Sequence, residues 1–141
     1  PDIMRVRSRA GRADDPFTVV AGPNVSVNAD EAAARQVVAS NLAWYVCAMG
    51  DAYSNSITNH GYAGEVEAIK AANPKPSPAK GDGRAEADHL LDQLAAYGSP
   101  NKVRAMVDAW DDAVDINAIG IPPGLSWEQI EPIIRTAAPN R

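Results

Sequence analysis

A helix that runs straight into an apolar strand constrains this chain more than any other feature. It spans Ser99 to Pro123, SPNKVRAMVDAWDDAVDINAIGIPP. Ser99 is a suitable N-cap, and Pro100 suits the first helical position, where a missing N–H costs nothing. Val103, Met106, Val107, Trp110 and Val114 recur at three- and four-residue steps, which predicts a helix with one apolar face. Asp111, Asp112 and Asp115 close its polar side. Ile116 to Ile121 follows as a short apolar run interrupted by Asn117, and Pro122-Pro123-Gly124 stops further pairing. A run of this kind is expected where both faces of a strand are covered, as in a parallel α/β sheet or barrel.

Upstream, Ile3-Met4 followed by Arg5, Arg7, Arg9 and Gly11 reads as the last turn of a helix closed by a glycine C-cap, so the chain is expected to begin inside a larger unit. Phe17 to Val27, FTVVAGPNVSV, reads as a strand, with a bulge or end expected near Gly22-Pro23 because proline removes a ladder donor. Asn28-Ala29-Asp30-Glu31 offers a cap and first-turn acids for a helix over Ala32 to Met49, stopped by Gly50. Its apolar residues nearly encircle its second half, which implies burial on more than one side.

From Asp51 to Gly64 the pattern turns polar and aromatic with little helical period, and a short helix over Glu65 to Ala72 follows. Asn73 to Gly83, NPKPSPAKGDG, reads as a loop or linker, so 51–83 together form a helical insertion and a proline-rich loop. Glu86 to Tyr97 has the spacing of an amphipathic helix with Gly98 as its stop. Ser126-Trp127-Glu128-Gln129 is a capping box for a last helix that either kinks at Pro132 or restarts there. The expected architecture is therefore helix-rich α/β, with two strands, near 17–27 and 116–121. Separated by that much helix they cannot form a hairpin, and if they share a sheet they are parallel.

Composition narrows the function classes. With 13 Lys plus Arg against 18 Asp plus Glu, the net charge of −5 argues against a nucleic-acid or anionic-membrane partner. No stretch approaches the roughly 18 to 20 unbroken apolar residues of a membrane span. A single cysteine, Cys47, precludes an internal disulfide and points to a reducing, cytoplasmic setting. Within a helical apolar run it reads as a small core residue rather than a nucleophile.

No motif declares a reaction. His60 and His89 lack metal-ligand spacing, and the glycines match neither the dinucleotide nor the Walker pattern. His89 falls on the polar side of its helix and reads as surface. His60 is set among Tyr53, Asn55, Asn59 and Tyr62, so Asn55, His60 and Tyr62 are the candidates for lining a pocket or meeting a partner chain, against the plainer reading of a surface helix-loop. If active groups stand at the strand ends, Asn24, Ser26, Asn28, Pro122, Pro123 and Gly124 are the next candidates; for Ser26 and Asn28 helix capping is the competing role. Trp44, Trp110 and Trp127 read as core or interface.

Several stretches resemble the luciferase-like, flavin- or deazaflavin-dependent monooxygenases and reductases: Ala10-Gly11-Arg12 before a strand, Val25-Ser26-Val27 followed by Asp30-Glu31-Ala32-Ala33, Tyr45-Val46 with Met49-Gly50, Asn55 with Gly61-Tyr62, and Tyr97-Gly98-Ser99-Pro100 leading into Val103. Their order covers Ala10 to about Ile121 and is closer to the deazaflavin-using branch. The resemblance implies the C-terminal portion of a (β/α)8 TIM barrel, with 17–27 as its seventh strand and 116–121 as its eighth, in a whole of about 250 residues. It also implies an oxidoreductase that passes hydride between deazaflavin (coenzyme F-420) or FMN and a small-molecule substrate, with most cofactor-gripping positions outside this stretch. The family's turn glycine before the eighth strand is missing from Asp112-Ala113-Val114-Asp115, so a tighter or tilted turn is expected. Two other readings remain open. One is a non-catalytic helical module that dimerises through Trp44, Tyr45 and Met49; the other is a barrel relative that binds a ligand without turnover. An unpaired strand edge would favour a homodimer.

Overall fold

Strand pairing is centred on one extended segment, Val20 to Val27. A computed structural model describes residues 2–75 and 87–139. In chain order these form α1 (Asp2–Arg9), β1 (Val20–Ala21), β2 (Asn24–Val27), α2 (Glu31–Ala48), α3 (Asp51–Asn59), α4 (Ala63–Ala72), α5 (Asp88–Leu94), β3 (Ala95–Gly98), α6 (Pro100–Asp108), β4 (Ile116–Asn117) and α7 (Trp127–Ala137). β1 pairs in parallel with β4, Val20 opposite Ile116, and β2 pairs in parallel with β3, Asn24 opposite Ala95 through Val27 opposite Gly98. A further parallel bridge joins Asn24 to Gly120.

The break between β1 and β2 falls at Gly22-Pro23, where proline withholds a donor, but the ladder continues through its carbonyl: Gly120 N–H donates to Pro23 O at 2.8 Å, and Val25 N–H to Gly120 O at 2.8 Å. Gly22 is required by contact. A Cβ there would lie 2.6 Å from both Ala118 O and Asn117 Oδ1.

The segments read as strands are indeed side by side and parallel, yet a third strand was missed. Ala95–Gly98 was expected to close the Glu86–Tyr97 helix, of which residue 86 lies outside the described residues. Instead α5 ends at Leu94, and Ala95 adopts the extended φ of −138° and ψ of 153°. Ala-Ala-Tyr has no strong strand preference of its own, so pairing with β2 and burial of all four β3 residues override local propensity. Because β3 falls between them in sequence, 17–27 and 116–121 are not successive strands. The lateral order is β3, then the Val20–Val27 segment, then β4. A barrel wall would set strands in chain order; here the first strand is central, and the sheet is open.

Alternation along the strands confirms that both faces are covered. Ala95 and Tyr97 belong to a core with Ala34, Val38, Leu42 and Val46 of α2, Val66 and Ile69 of α4, and Leu90 and Leu91 of α5. Val25 and Ala96 belong to a second core, with Val103 and Val107 of α6 and Ile133 of α7. Since successive side chains point to opposite faces, helices lie on both sides of the sheet. The Ile116–Ile121 run is less covered than expected. Ile116 is 53% and Ile121 41% exposed, because β4 is an edge and only its inner side meets a neighbour.

Other expectations meet mixed outcomes. Asp30 caps α2, accepting from Ala32 N–H at 3.0 Å and Ala33 N–H at 3.2 Å. The supposedly irregular 51–64 stretch contains a regular helix, α3, set off from α2 by Gly50 at φ 75°. The proline-rich loop beyond residue 75 lies outside the described residues. Trp110 and Val114 fall beyond α6, which stops at Asp108; the turn into β4 closes without a left-handed residue and is pinned by Asp115, whose carboxylate accepts Val19 N–H at 2.7 Å. Pro132 sits inside a continuous α7, and Ser126 N–H donates to Gln129 Oε1 at 3.0 Å as the capping box requires. Trp44 and Trp110 are half-buried, but Trp127 is 61% exposed and is no core residue.

Candidate functional site

Two places on the sheet have the chemistry of a site, one at each end of the strands. At the finishing end, β2 and β3 are tied together by Asn28 N–H donating to Gly98 O at 2.9 Å, so the starts of α2 and α6 are brought side by side. Gly98 leaves β3 at φ 119°, Ser99 caps α6 without a side-chain hydrogen bond, and Pro100 opens the helix. First-turn N–H groups of a helix are unsatisfied and carry the positive end of its dipole. Lys102, also in that turn, places Nζ 2.7 Å from Glu31 Oε1 and 4.8 Å from the Tyr97 ring centre.

Tyr97 itself is buried, and its hydroxyl donates to Asp92 Oδ1 at 2.6 Å. Burial first, then the Asp92 bond and the charges of Asp92 and Asp88, hold the phenol well above its ordinary pKa, against a smaller pull from Arg35. Tyr97 is therefore a neutral donor, not a base. Arg35 is paired with Asp88 on the same side.

At the starting end, Gly22, Asn24 and Ala95 meet Val38, Leu42 and Tyr45 of α2, Tyr53, Ser56 and Ile57 of α3, and Leu91 and Leu94 of α5 around a hollow of about 340 Å³. None of these residues is charged. Tyr45 packs edge-on against Tyr53 with ring centres 5.4 Å apart, and Trp44 against Tyr45 likewise. Next to it, Ser56, Ile57, His60, Tyr62, Leu90, Gln93 and Leu94 line a groove of about 320 Å³.

The structure thus brings His60 and Tyr62 to one groove and leaves Asn55 out, exposed on α3 and lining neither hollow. His60 Nδ1 lies 2.7 Å from Ser56 O. Tyr62 packs at 5.5 Å against His89, which is otherwise surface and sits 3.8 Å from Glu65. Of the strand-end candidates, Asn24 begins β2 rather than ending it. Ser26 is buried, and Asn28 supports the turn by accepting Asp30 N–H at 3.0 Å. Pro122 is buried, while Pro123 and Gly124 form an exposed turn.

Cys47 is half-buried with Sγ 3.9 Å from Ile69 O; burial pushes its thiol up, only partly offset by Lys70, so it is no ready nucleophile. Ser54, which accepts from Lys70 Nζ at 3.1 Å, gives its own proton to Asp51 O and is tied into the fold. Among the described residues no three His, Cys, Asp or Glu side chains gather as a metal site, and no helix is long and apolar enough to cross a membrane.

Lys102, Glu31 and the Tyr45–Tyr53 pair were not singled out from the sequence. For Lys102 a signal existed, a lysine in the first turn after Gly-Ser-Pro. For the tyrosines none did, because the turn at Gly50 folds α3 back against α2 and that angle is not written in local pattern.

No curated protein and no solved structure gives a significant match to the chain. The family profile described as luciferase-like monooxygenase matches residues 1–115, which takes in both ends of the sheet up to the start of β4. With most of its length so matched, the chain belongs to the luciferase-like monooxygenase family, a group of oxidoreductases.

Proposed function

We propose that this chain serves hydride transfer between a deazaflavin or flavin cofactor and a small organic substrate, with the cofactor's acidic end held at the finishing edge of the sheet. The carrying observation is the family match over residues 1–115 together with the donor set at the start of α6. The Ser99 hydroxyl makes no capping bond, the N–H groups of Asn101 and Lys102 lie in the first turn after Pro100, and the Lys102 side chain supplies a cation. This is the combination that suits a phosphate or similar anion. Gly98 keeps the approach open: a Cβ there would come within 3.2 Å of Lys102 Cδ and 3.6 Å of Glu31 Cγ.

When bound, the ring system supplies the hydride-accepting or hydride-donating centre. The chain's residues orient and shield. Lys102 exchanges Glu31 for the anion, Ser99 and the helix N–H groups fix its position, and Tyr97, held neutral by Asp92, keeps an uncharged wall beside it.

Near-visible absorbance and fluorescence titrations with FMN, riboflavin and the deazaflavin coenzyme test this. Saturable binding of FMN or deazaflavin is expected, with FMN about tenfold tighter than riboflavin, the equivalent of about 1.4 kcal/mol for the phosphate contacts. Absence of binding by both FMN and deazaflavin overturns the cofactor assignment.

A further inference from the structure

We propose that the hollow and groove at the starting end of the strands form one binding site, distinct from the edge that carries Lys102, for an uncharged small molecule with a flat apolar body and a hydroxyl head. The two spaces share a wall made by Ser56, Ile57 and Leu94, so they are compartments of one cleft. The inner one, about 340 Å³, is within the range of small-molecule sites, and none of the described residues that line it is charged. Burying an ion there would go uncompensated, which excludes anionic and cationic ligands from that compartment. The perpendicular Tyr45–Tyr53 pair offers a ring face and a ring edge, an arrangement that suits a further aromatic ring.

The outer compartment supplies the polar end. Ser56 O can only accept, so His60 Nδ1, 2.7 Å away, carries a proton, and in the neutral ring Nε2 is then the acceptor. An acceptor on this groove wall selects a ligand that donates, and a hydroxyl is the simplest neutral donor. Gln93, on the same wall, adds an amide that both donates and accepts. Because Asn24 and Ala95 begin their strands whereas Gly98 ends one, the ligand's place does not overlap that of the proposed cofactor anion.

Calorimetric titration of the full 141-residue chain at pH 8, without any flavin, tests the site with three probes of one shape: 2-naphthol, 2-methoxynaphthalene and naphthalene-2-sulfonate. The expected result is saturable binding of 2-naphthol, at least fivefold weaker binding of the methoxy compound, which cannot donate, and at least tenfold weaker binding of the sulfonate. His60→Ala, an exposed position that leaves both cores intact, should remove the difference between naphthol and its methyl ether without weakening the ether. Tyr53→Ala should weaken both. No saturable naphthol binding, a sulfonate that binds as tightly, or an unchanged naphthol-to-ether ratio in His60→Ala each overturns the proposal. None of these readouts depends on FMN or deazaflavin binding, so the cofactor assignment stands or falls separately.

Discussion

Where the strands begin, Gly22, Asn24 and Ala95 join tyrosines and aliphatic side chains around a hollow with no charge among its described lining residues; where they finish, Lys102 and Glu31 stand 2.7 Å apart beside two helix N-termini. The contrast follows from how a parallel unit is built. Each helix after a strand starts at the finishing edge, so that edge collects unsatisfied N–H groups and the polar side chains that answer them. At the starting edge the chain returns out of helix C-termini and hinges, and the gap there is filled by whatever the helix faces present, in this case Leu42, Tyr45, Tyr53 and Leu94. The hollow leans on the α2 core alone, whereas the charged edge draws on both cores, with Tyr97 in the α2 core and Val103 of α6 in the α6–α7 core.

The largest expected effect comes from cutting those supports one at a time. Ile69→Ala, on α4 in the core with α2, and Ile133→Ala, on α7 in the core with α6, each truncate a fully buried side chain and should cost about 2–5 kcal/mol by urea unfolding. If the ends are separately supported, Ile69→Ala weakens 2-naphthol binding and spares the preference for FMN over riboflavin, and Ile133→Ala does the reverse. Equal losses of both ligands in both variants would show that the ends are not independent. Gly22→Ala forces a methyl group against Ala118 O and Asn117 Oδ1 in the central segment, and should destabilise by about 1–3 kcal/mol through overpacking. Its mark would be early hydrogen exchange in β1 and β4, with β2 and β3 still protected.

Tyr97→Phe removes the hydroxyl bond to exposed Asp92 and should cost about 1 kcal/mol near neutral pH. The sign of its pH dependence is fixed by the raised phenol pKa. The folded state binds the proton more tightly than the unfolded chain, so the stabilisation is complete below the ordinary tyrosine value of about 10 and fades as pH rises past it. Parallel unfolding curves for wild type and Tyr97→Phe across pH 8 to 11 should converge at the alkaline end; a constant gap would break the assignment. The smallest stability change belongs to Lys102→Met. Its ion pair with Glu31 is solvent-exposed and worth about 0–1 kcal/mol. Its ligand effect should be larger, with FMN dropping to the affinity of riboflavin while 2-naphthol binding holds.

The helix and cap signals were legible because they are local. Asp30 before Glu31 and Ser126 with Gln129 satisfy groups within a few residues, Pro100 fits the first turn of α6 where no N–H is needed, and each was found where expected. Gly22-Pro23 was legible for the same reason, since a missing N–H interrupts pairing wherever the strand lies. β3 was not. Its Ala-Ala-Tyr-Gly continues the apolar period of α5, and only the partner β2 makes extended backbone the better solution. The site residues divided along the same line. His60 and Tyr62 are near in sequence and were read together; Asn55, equally near, points elsewhere on its helix and lines neither compartment.

By itself the sequence determined a helix-rich α/β chain, strands that are parallel if they share a sheet, and the starts of α2, α6 and α7, because capping, proline placement and apolar period act over a few bonds; the family was legible only as a resemblance carried by several short stretches in order. Tertiary structure alone decided that the first strand is central, that both faces are covered, and that Lys102 meets Glu31 across 71 residues while Tyr45 meets Tyr53 around Gly50. Those outcomes depend on which surfaces exclude water together, a property of the packed whole that no short stretch carries.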